Sequence, residues 1–125
     1  MKGMFAEVRN MLPISGDGYD AEIILQIKAA ALDLTTSAEI VLPGEIHITR
    51  ELDPATNKWK VTDASTLKDE LVITAIAAWC QMMIGNPPNF ENLKTVYNGL
   101  KKRMRMSRHY TRYAGQDGPE EATTK

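Results

Sequence analysis

The chain has 125 residues, of which 43% are hydrophobic and 25% charged, and its formal net charge is −1. This length predicts one domain with a single core and excludes a multi-domain enzyme. The composition is close to the globular average, which excludes wholesale disorder, collagen-like structure and a disulfide scaffold. Cys80 is the single cysteine and no secretory signal is recognisable, so we expect a reducing cytosol. The longest nearly apolar run, Leu71 to Ile84, has 14 residues and is too short to cross a bilayer.

Charge is distributed unevenly along the chain. Residues 1–100 carry 8 Lys and Arg against 13 Asp and Glu, whereas residues 101–112 carry 6 Lys and Arg and no acid. Residues 113–125 are acidic again, with one Lys against three acids. This separation predicts a localised contact surface for an acidic partner and says little about the fold.

Apolar residues recur at spacings of three and four in two N-terminal segments, which predicts two helices. The first runs from Met4 to Leu12 and ends because Pro13 cannot continue the backbone ladder. The second begins at Asp20, whose side chain we expect to act as the N-cap, and ends near Thr36.

Beyond Ser37 the period changes to the alternation of a strand. Ile46, Ile48 and Leu52 alternate with polar residues, and so do Trp59 and Val61. These runs predict a β-hairpin over roughly residues 45–62. Because an isolated hairpin is marginally stable in water, it must rest on the helices or on another subunit.

Two further helices are predicted in the C-terminal half. Asp63 or Ser65 is expected to cap the third, which is apolar nearly all round from Leu71 to Ile84 and should stop at Gly85. We expect the other helices to cover it incompletely, so that part of it packs against a neighbouring copy. Asn89 is expected to cap the fourth helix. Its apolar stripe comprises Phe90, Leu93, Val96, Tyr97, Leu100 and Met104.

These elements predict a mainly α fold: a bundle of about four helices with an inserted β-hairpin and an extended C-terminal tail. The helical domain spans residues 1–113. Residues 114–125 are rich in Gly, Pro, Thr, Gln and acids, a composition that cannot bury enough surface to order itself, and we interpret them as a polar tail.

The search for a catalytic group yields none. His47 and His109 lie far apart in the sequence and in no recognisable metal or nucleophile motif. Cys80 lies in the most apolar helix, where a thiol is inert packing. Asp69 and Glu70 are explained by the dipole at a helix start. We therefore expect no enzyme activity, no metal and no cofactor.

The positive signal is the basic segment from Lys101 to Arg112. If the fourth helix continues through it, Lys101, Arg105, Arg108 and Arg112 form a single cationic face. Three interpretations are open. The face is solvated; or it binds nucleic acid, with Tyr110 and Tyr113 stacking on bases; or it docks on an acidic protein surface, which an identical subunit could also supply.

The last two helices carry a recognisable pattern. A buried helix from Ala75 ends in Gly85 and an Asn-Pro-Pro-Asn turn, Phe90–Lys101 contains a Tyr-x-x-Leu-Lys segment, and Met106–Tyr110 closes it. This pattern resembles the head-tail connector, or adaptor, proteins of tailed bacteriophages. Phe5–Ile14 is similar to the opening segment of that family, and the resemblance covers about two thirds of the chain. The segment from Ser37 to Thr62 is longer than in the simplest members.

The resemblance implies a structural protein of the virion neck, assembled in the host cytoplasm. Such proteins form a ring, expected to be twelvefold, between the portal protein and the stopper or tail-completion protein, around a channel that DNA crosses. The family's C-terminal segment engages the portal, and we expect the hairpin to contact the neighbouring subunit or the next neck protein. The residues assigned to portal or subunit binding are Lys101, Lys102, Arg105, Arg108, His109, Tyr110, Arg112 and Tyr113, and those assigned to the hairpin contact are Ile48 and Trp59. The alternative is a small nucleic-acid-binding protein that uses residues 101–112.

Overall fold

The computed structural model describes residues 3–14, 18–84 and 87–111, with the side chain of Arg108 outside this description. It is mainly α with one antiparallel β-hairpin, as the sequence predicts. The elements in chain order are α1 (Met4–Asn10), α2 (Asp20–Thr36), β1 (Ile48–Asp53), β2 (Lys58–Asp63), α3 (Glu70–Met83), α4 (Phe90–Arg105) and a 3-10 turn (Arg108–Tyr110), here the C-terminal turn. Gly85, Arg112, Tyr113 and the predicted tail lie outside the described residues.

Helix α3 is the centre of the core, and α1, α2 and α4 all pack on it. Eight of its 14 residues are buried, and only Glu70, Thr74 and Met83 are exposed. Helix α3 is therefore covered by its own chain over most of its surface, more completely than the sequence predicts, and its packing against a neighbouring copy stays a prediction. The other helices cover it because they present large apolar side chains inward, including Met4, Ile23, Ile27, Leu34 and Met104, each at most 2% exposed.

Helix α2 lies where the sequence predicts it, but Asp20 is not its N-cap residue. Tyr19 occupies the N-cap position without a side-chain cap bond, and Asp20 is the first helical residue. The Asp20 carboxylate instead lies 3.2 Å from Nε of Arg9, at the end of α1. Asp20 thus joins two helices, and its charge still lies in the first turn of α2, where the helix dipole favours an anion.

The cap of α3 is Asp69, whose Oδ1 accepts from the Val72 backbone N–H at 3.0 Å. The predicted cap Asp63 serves another helix: its Oδ2 accepts from the Phe5 N–H at 2.8 Å, in the first turn of α1. Gly3 precedes that turn, and a Cβ there would collide with the Asp63 carboxylate. The chain between Asp63 and Asp69 forms no helix, and its backbone bonds instead to residues before β1: Thr66 and Leu67 both donate to the Glu45 carbonyl.

The hairpin pairs Ile48 with Asp63 at its base and Asp53 with Lys58 at its end. Ile48 is 2% exposed and belongs to the core, and β1 contacts α2. The expectation that Ile48 contacts another subunit is therefore wrong, because its side chain anchors the hairpin to its own helices. Further out, every residue from Glu51 to Lys60 is exposed except the half-buried Asp53.

Helix α4 ends at Arg105, and Met106 occupies its C-cap with the backbone still right-handed. Ser107 is extended, and its Oγ accepts from the His109 N–H at 3.2 Å, which starts the C-terminal turn. The condition for one continuous cationic face, a fourth helix that continues through the basic segment, is therefore not met. Residues 107–111 no longer follow the 3.6-residue period of α4, so they are not aligned with Lys101 and Arg105.

The two tryptophans should differ sharply in their contribution to stability. Trp79 is half-buried against the core, whereas Trp59 is 53% exposed. We expect Trp79→Ala to lower the free energy of unfolding by about 3 kcal/mol, because it leaves a cavity and an unpaired Gln26 amide. Trp59→Ala, the matched control, should cost about 0.5 kcal/mol or less. Denaturant unfolding followed by circular dichroism measures both, and equal losses would contradict the packing described.

Asp63 should make stability depend on acid pH. Burial raises its pKa, but hydrogen bonds from Phe5 and Ser65 lower it by more, so the pKa lies below the ordinary 3.8. The carboxylate therefore adds stability above the unfolded-state pKa, and this is lost as the pH falls through the lower folded-state pKa. We expect Asp63→Ala to cost about 1–2 kcal/mol at neutral pH and less below pH 3.8. Glu51→Ala, an exposed acid, is the control, and a difference independent of pH would contradict this role.

Candidate protein-interaction surfaces

The start of the predicted basic segment is tied into the bundle. The Tyr97 hydroxyl donates to Asp33 Oδ2 at 2.6 Å, and the Lys101 ammonium donates to the same oxygen at 3.1 Å. Lys101 Nζ also lies 5.1 Å from the centroid of the Tyr97 ring. Burial, with the hydrogen bond to Asp33, holds the pKa of Tyr97 well above its usual value. Lys101 therefore joins α4 to α2 within its own chain.

The same cluster extends into α3 through an aromatic contact. The rings of Trp79 and Tyr97 meet edge to face with centroids 5.4 Å apart. The Trp79 indole N–H donates to Gln26 Oε1 at 2.9 Å, and Gln26 in turn donates to Glu22 on α2. Edge-to-face pairs and satisfied polar networks both favour one packing arrangement. The three long helices are thereby fixed relative to one another on this side of the bundle.

The C-terminal turn is also anchored to the body of the protein. The Tyr110 hydroxyl donates to Asp69 Oδ2 at 2.8 Å, opposite the oxygen that caps α3. The Tyr110 carbonyl accepts from the Val41 N–H at 2.6 Å, and Ile40 pairs with Thr111 in an antiparallel bridge. Burial, then the hydrogen bond to Asp69 and its charge, raise the pKa of Tyr110 to about 12. Residues 107–111 thus lie against the connection between α2 and β1.

The remaining cations of α4 are exposed. Lys94, Lys102, Arg103 and Arg105 all face solvent, and none of the four forms an ion pair with a residue in the described part of the chain. His109 is exposed as well, with Nε2 4.0 Å from Asp69. Of the eight residues predicted to bind a partner, Lys102, Arg105 and His109 are open to solvent. Lys101 and Tyr110 are held by Asp33 and Asp69, and the side chains of Arg108, Arg112 and Tyr113 lie outside the description.

The outer end of the hairpin carries an exposed apolar pair. Leu52 and Trp59 face each other across the strands, and they are 44% and 53% exposed. The guanidinium of Arg50 lies 4.1 Å from the centroid of the Trp59 ring, a cation–π contact that holds the indole in place. We call Arg50, Leu52 and Trp59 the hairpin tip. This exposure leaves Trp59 open to solvent, and its contact with a neighbouring subunit or neck protein stays a prediction.

An apolar groove that the sequence analysis missed lies where α1 ends and the α3–α4 connection begins. It has a volume of about 400 Å³. Its lining comprises Met11, Pro13, Ile14, Gln81, Ile84, Pro87, Pro88, Asn89 and Leu93. The sequence did contain a signal for this groove. Apolar residues and prolines cluster just beyond the ends of α1 and α3, where they belong to the buried stripe of neither helix.

Two of the groups considered for chemistry, Cys80 and His47, lie in different environments. Cys80 is fully buried as predicted, and burial, with a smaller effect of Glu22, raises its pKa to about 12. His47 lies at the surface, with Nε2 2.7 Å from Glu45 Oε1. Among the described residues, no group of three or more His, Cys, Asp and Glu is placed to hold a metal ion.

Comparison with known proteins adds no relative: no protein-family model, no curated protein and no solved structure matches this chain. Within the described ranges, none of the helices combines the length and the apolar character needed to span a bilayer.

The Tyr110 hydroxyl provides a test of the anchored C-terminal turn. We expect Tyr110→Phe to cost about 1 kcal/mol, because Asp69 loses a hydrogen bond. The raised pKa means that this contribution is complete below the unfolded-state value near 10 and is lost as the pH rises toward about 12. The ultraviolet titration curve of Tyr110→Phe should lack the tyrosine that ionises near pH 12 in the wild type. The control Tyr19→Phe, at an exposed ring, should leave the free energy of unfolding unchanged. An unaltered titration curve for Tyr110→Phe would contradict the contact.

Proposed function

We propose that this chain is a head-tail connector subunit that works by assembly. Identical copies form a ring beneath the phage portal and join the DNA-filled capsid to the stopper or tail. The proposal rests first on the resemblance of Ala75–Lys101 and Met106–Tyr110 to that family. It includes a place in the virion neck, a twelvefold ring and no enzymatic activity.

The observation that carries the proposal is the hairpin tip. An exposed tryptophan paired with an exposed leucine is costly to leave in water, at about 25 cal/mol per Å² of apolar surface. Tryptophan and arginine are also the residues most enriched among those that dominate binding energy at interfaces. The base of the hairpin is fixed by Ile48 in the core, so the tip is presented rigidly. An assembly subunit needs such an exposed contact.

The exposed cations of α4 support the second part of the proposal, contact with an acidic portal surface. Lys102 and Arg105 lie in the last turns of α4, where they also compensate the negative end of the helix dipole. Arginine forms paired hydrogen bonds with carboxylates and is suited to such a contact. Lys101 is left out of this role because Asp33 holds it.

Nucleic-acid binding by the same cations is the second candidate, favoured by their exposure. Two features count against it. Tyr110, one of the rings proposed to stack on bases, is half-buried, its hydroxyl is bonded to Asp69, and its ring already contacts that of His109. The rest of the chain is acidic overall, so most of its surface would repel a phosphate backbone.

Assembly is tested on the full-length chain. We expect light scattering to give a mass many times 13.9 kDa, alone or after addition of portal-bearing capsids, and electron micrographs to show rings end-on. Arg105→Glu should lower capsid binding about tenfold or more, through lost pairing and new repulsion. Lys28→Glu, the same charge change at an exposed position of α2, should leave binding unchanged. A lone monomer under both conditions would overturn the proposal, and tight, steeply salt-dependent duplex binding without capsid binding would support the second candidate.

A further inference from the structure

The outer edge of β1 carries backbone groups that no described residue bonds. A ladder bond joins the Ala64 N–H to the His47 carbonyl, and bonded pairs alternate along antiparallel strands. In the observed register the odd-numbered residues of β1 therefore bond to β2, whereas Ile48, Arg50 and Leu52 direct their N–H and C=O groups away from it. These outward groups have no backbone or side-chain partner in the described part of the chain.

Helix α2 forms a second wall along this edge. The space between the two elements, here the α2–β1 cleft, has a volume of about 510 Å³. It is lined by Ala21, Ile24 and Lys28 of α2 and by residues 48–51 of β1. Leu25, which neighbours Ala21 and Lys28 on the exposed face of α2, is 59% exposed. Free backbone groups beside a partly apolar wall are the features that strand addition uses.

Two cations line the same cleft without an acidic partner. The Arg50 guanidinium lies 4.1 Å from the centroid of the Trp59 ring, and its Nε is buried with no hydrogen-bond partner among the described residues. Neither Arg50 nor Lys28 forms an ion pair in the described part of the chain. Glu51 also lines the cleft, but its side chain lies on the opposite face of β1 from Arg50, with Lys60 across from it. Trp59 thus holds a guanidinium in position to bind a carboxylate.

We propose that an extended segment of a partner protein adds to the edge of β1 as a third strand, with one carboxylate side chain held by Arg50 and Lys28. The backbone of that segment pairs with the outward groups of Arg50 and Leu52, and its apolar side chains pack on the wall of α2. The inference goes beyond the proposed ring function. Its partner is distinct from the capsid, whose contact is assigned to the exposed cations of α4.

Other occupants fit the cleft less well. A phosphate group offers acceptors but no donor, so it cannot bond to the outward carbonyls as a strand does. Two β1 edges paired about Arg50 would place one guanidinium directly opposite another, which disfavours a second copy. The chain's own residues 113–125 are acidic, but Gly115, Gly118 and Pro119 interrupt them, and glycine and proline are poor strand residues.

A synthetic strand tests the inference on the full-length chain. The probe is a blocked peptide of threonine and valine with one central glutamate, and its control carries glutamine at that position. We expect the glutamate peptide, at millimolar concentration, to slow amide hydrogen exchange of Arg50 and Leu52 about tenfold or more, as measured by NMR. The Glu51 amide, already bonded to β2, should be unchanged. The glutamine peptide should bind about tenfold more weakly, because it lacks the charge.

Variants of the chain identify the groups that hold the carboxylate. Arg50→Gln should lower the affinity for the glutamate peptide about tenfold and remove most of the preference for glutamate over glutamine. Lys28→Gln, at an exposed position, should lower the affinity about threefold. Lys60→Gln, on the opposite face of the hairpin, and Arg105→Gln, on α4, are the matched controls and should bind the peptide as the wild type does. Circular dichroism checks that each variant folds.

The outcomes separate this inference from the proposed function. Unprotected Arg50 and Leu52 amides at millimolar peptide would overturn the inference, and so would equal affinity for the two peptides. Slow exchange of these amides without peptide would overturn it too, showing the chain's own tail at the edge if it persists on dilution and a second copy if it does not. Duplex DNA binding that is weakened by Arg50→Gln, without peptide binding, would assign the cleft to nucleic acid. Each result leaves ring formation and capsid binding to be judged by their own measurements.

Discussion

The burial of α3 is the constraint on which the rest of the structure depends. A helix apolar over most of its circumference must be covered on several sides at once, and each large side chain removed from water contributes about 1.5–3 kcal/mol. Helix α1, with seven residues, is too short to be stable alone. It persists because Met4, Phe5 and Val8 bury against the core and Asp63 satisfies its first turn. The base of the hairpin thus holds the helix that completes the cover of α3.

Strong periodicity and strong turn signals made much of this fold predictable. The bounds of α2 follow from its apolar spacing, and the hairpin follows from the alternation on either side of Asp53–Asn57. Cap assignments failed because Asp20, Asp63, Ser65 and Asp69 are all good capping residues. The choice among them depends on backbone bonds between residues distant in sequence, such as Thr66 to Glu45. The end of α4 was missed for a similar reason: the stop at Met106 carries no Gly or Pro, and Tyr110 is fixed by partners from the other half of the chain.

The candidate interaction surfaces, like the fold, could be predicted from the sequence only in part. Exposure of Trp59 could be predicted, since it lies far from the helices near a hairpin end. Ile48 was misassigned because alternation places both residues on one face of the hairpin but cannot show where along the hairpin the body of the protein ends. The groove was missed because the residues that line it lie in segments about seventy positions apart, such as Pro13 after α1 and Gln81 in α3. Only the packing of α1 and α4 on α3 brings them together.

The apolar groove and the exposed cations are joined by α4. Its first turn adjoins the groove through Asn89 and Leu93, and its last turns carry Lys102 and Arg105. With 16 residues the helix is about 24 Å long, and Tyr97 and Lys101 fix it to α2 between these ends. The groove and the cations therefore lie at opposite ends of α4 and do not compete for surface. Because α4 is held rigidly between these ends, the two surfaces keep a fixed separation and orientation.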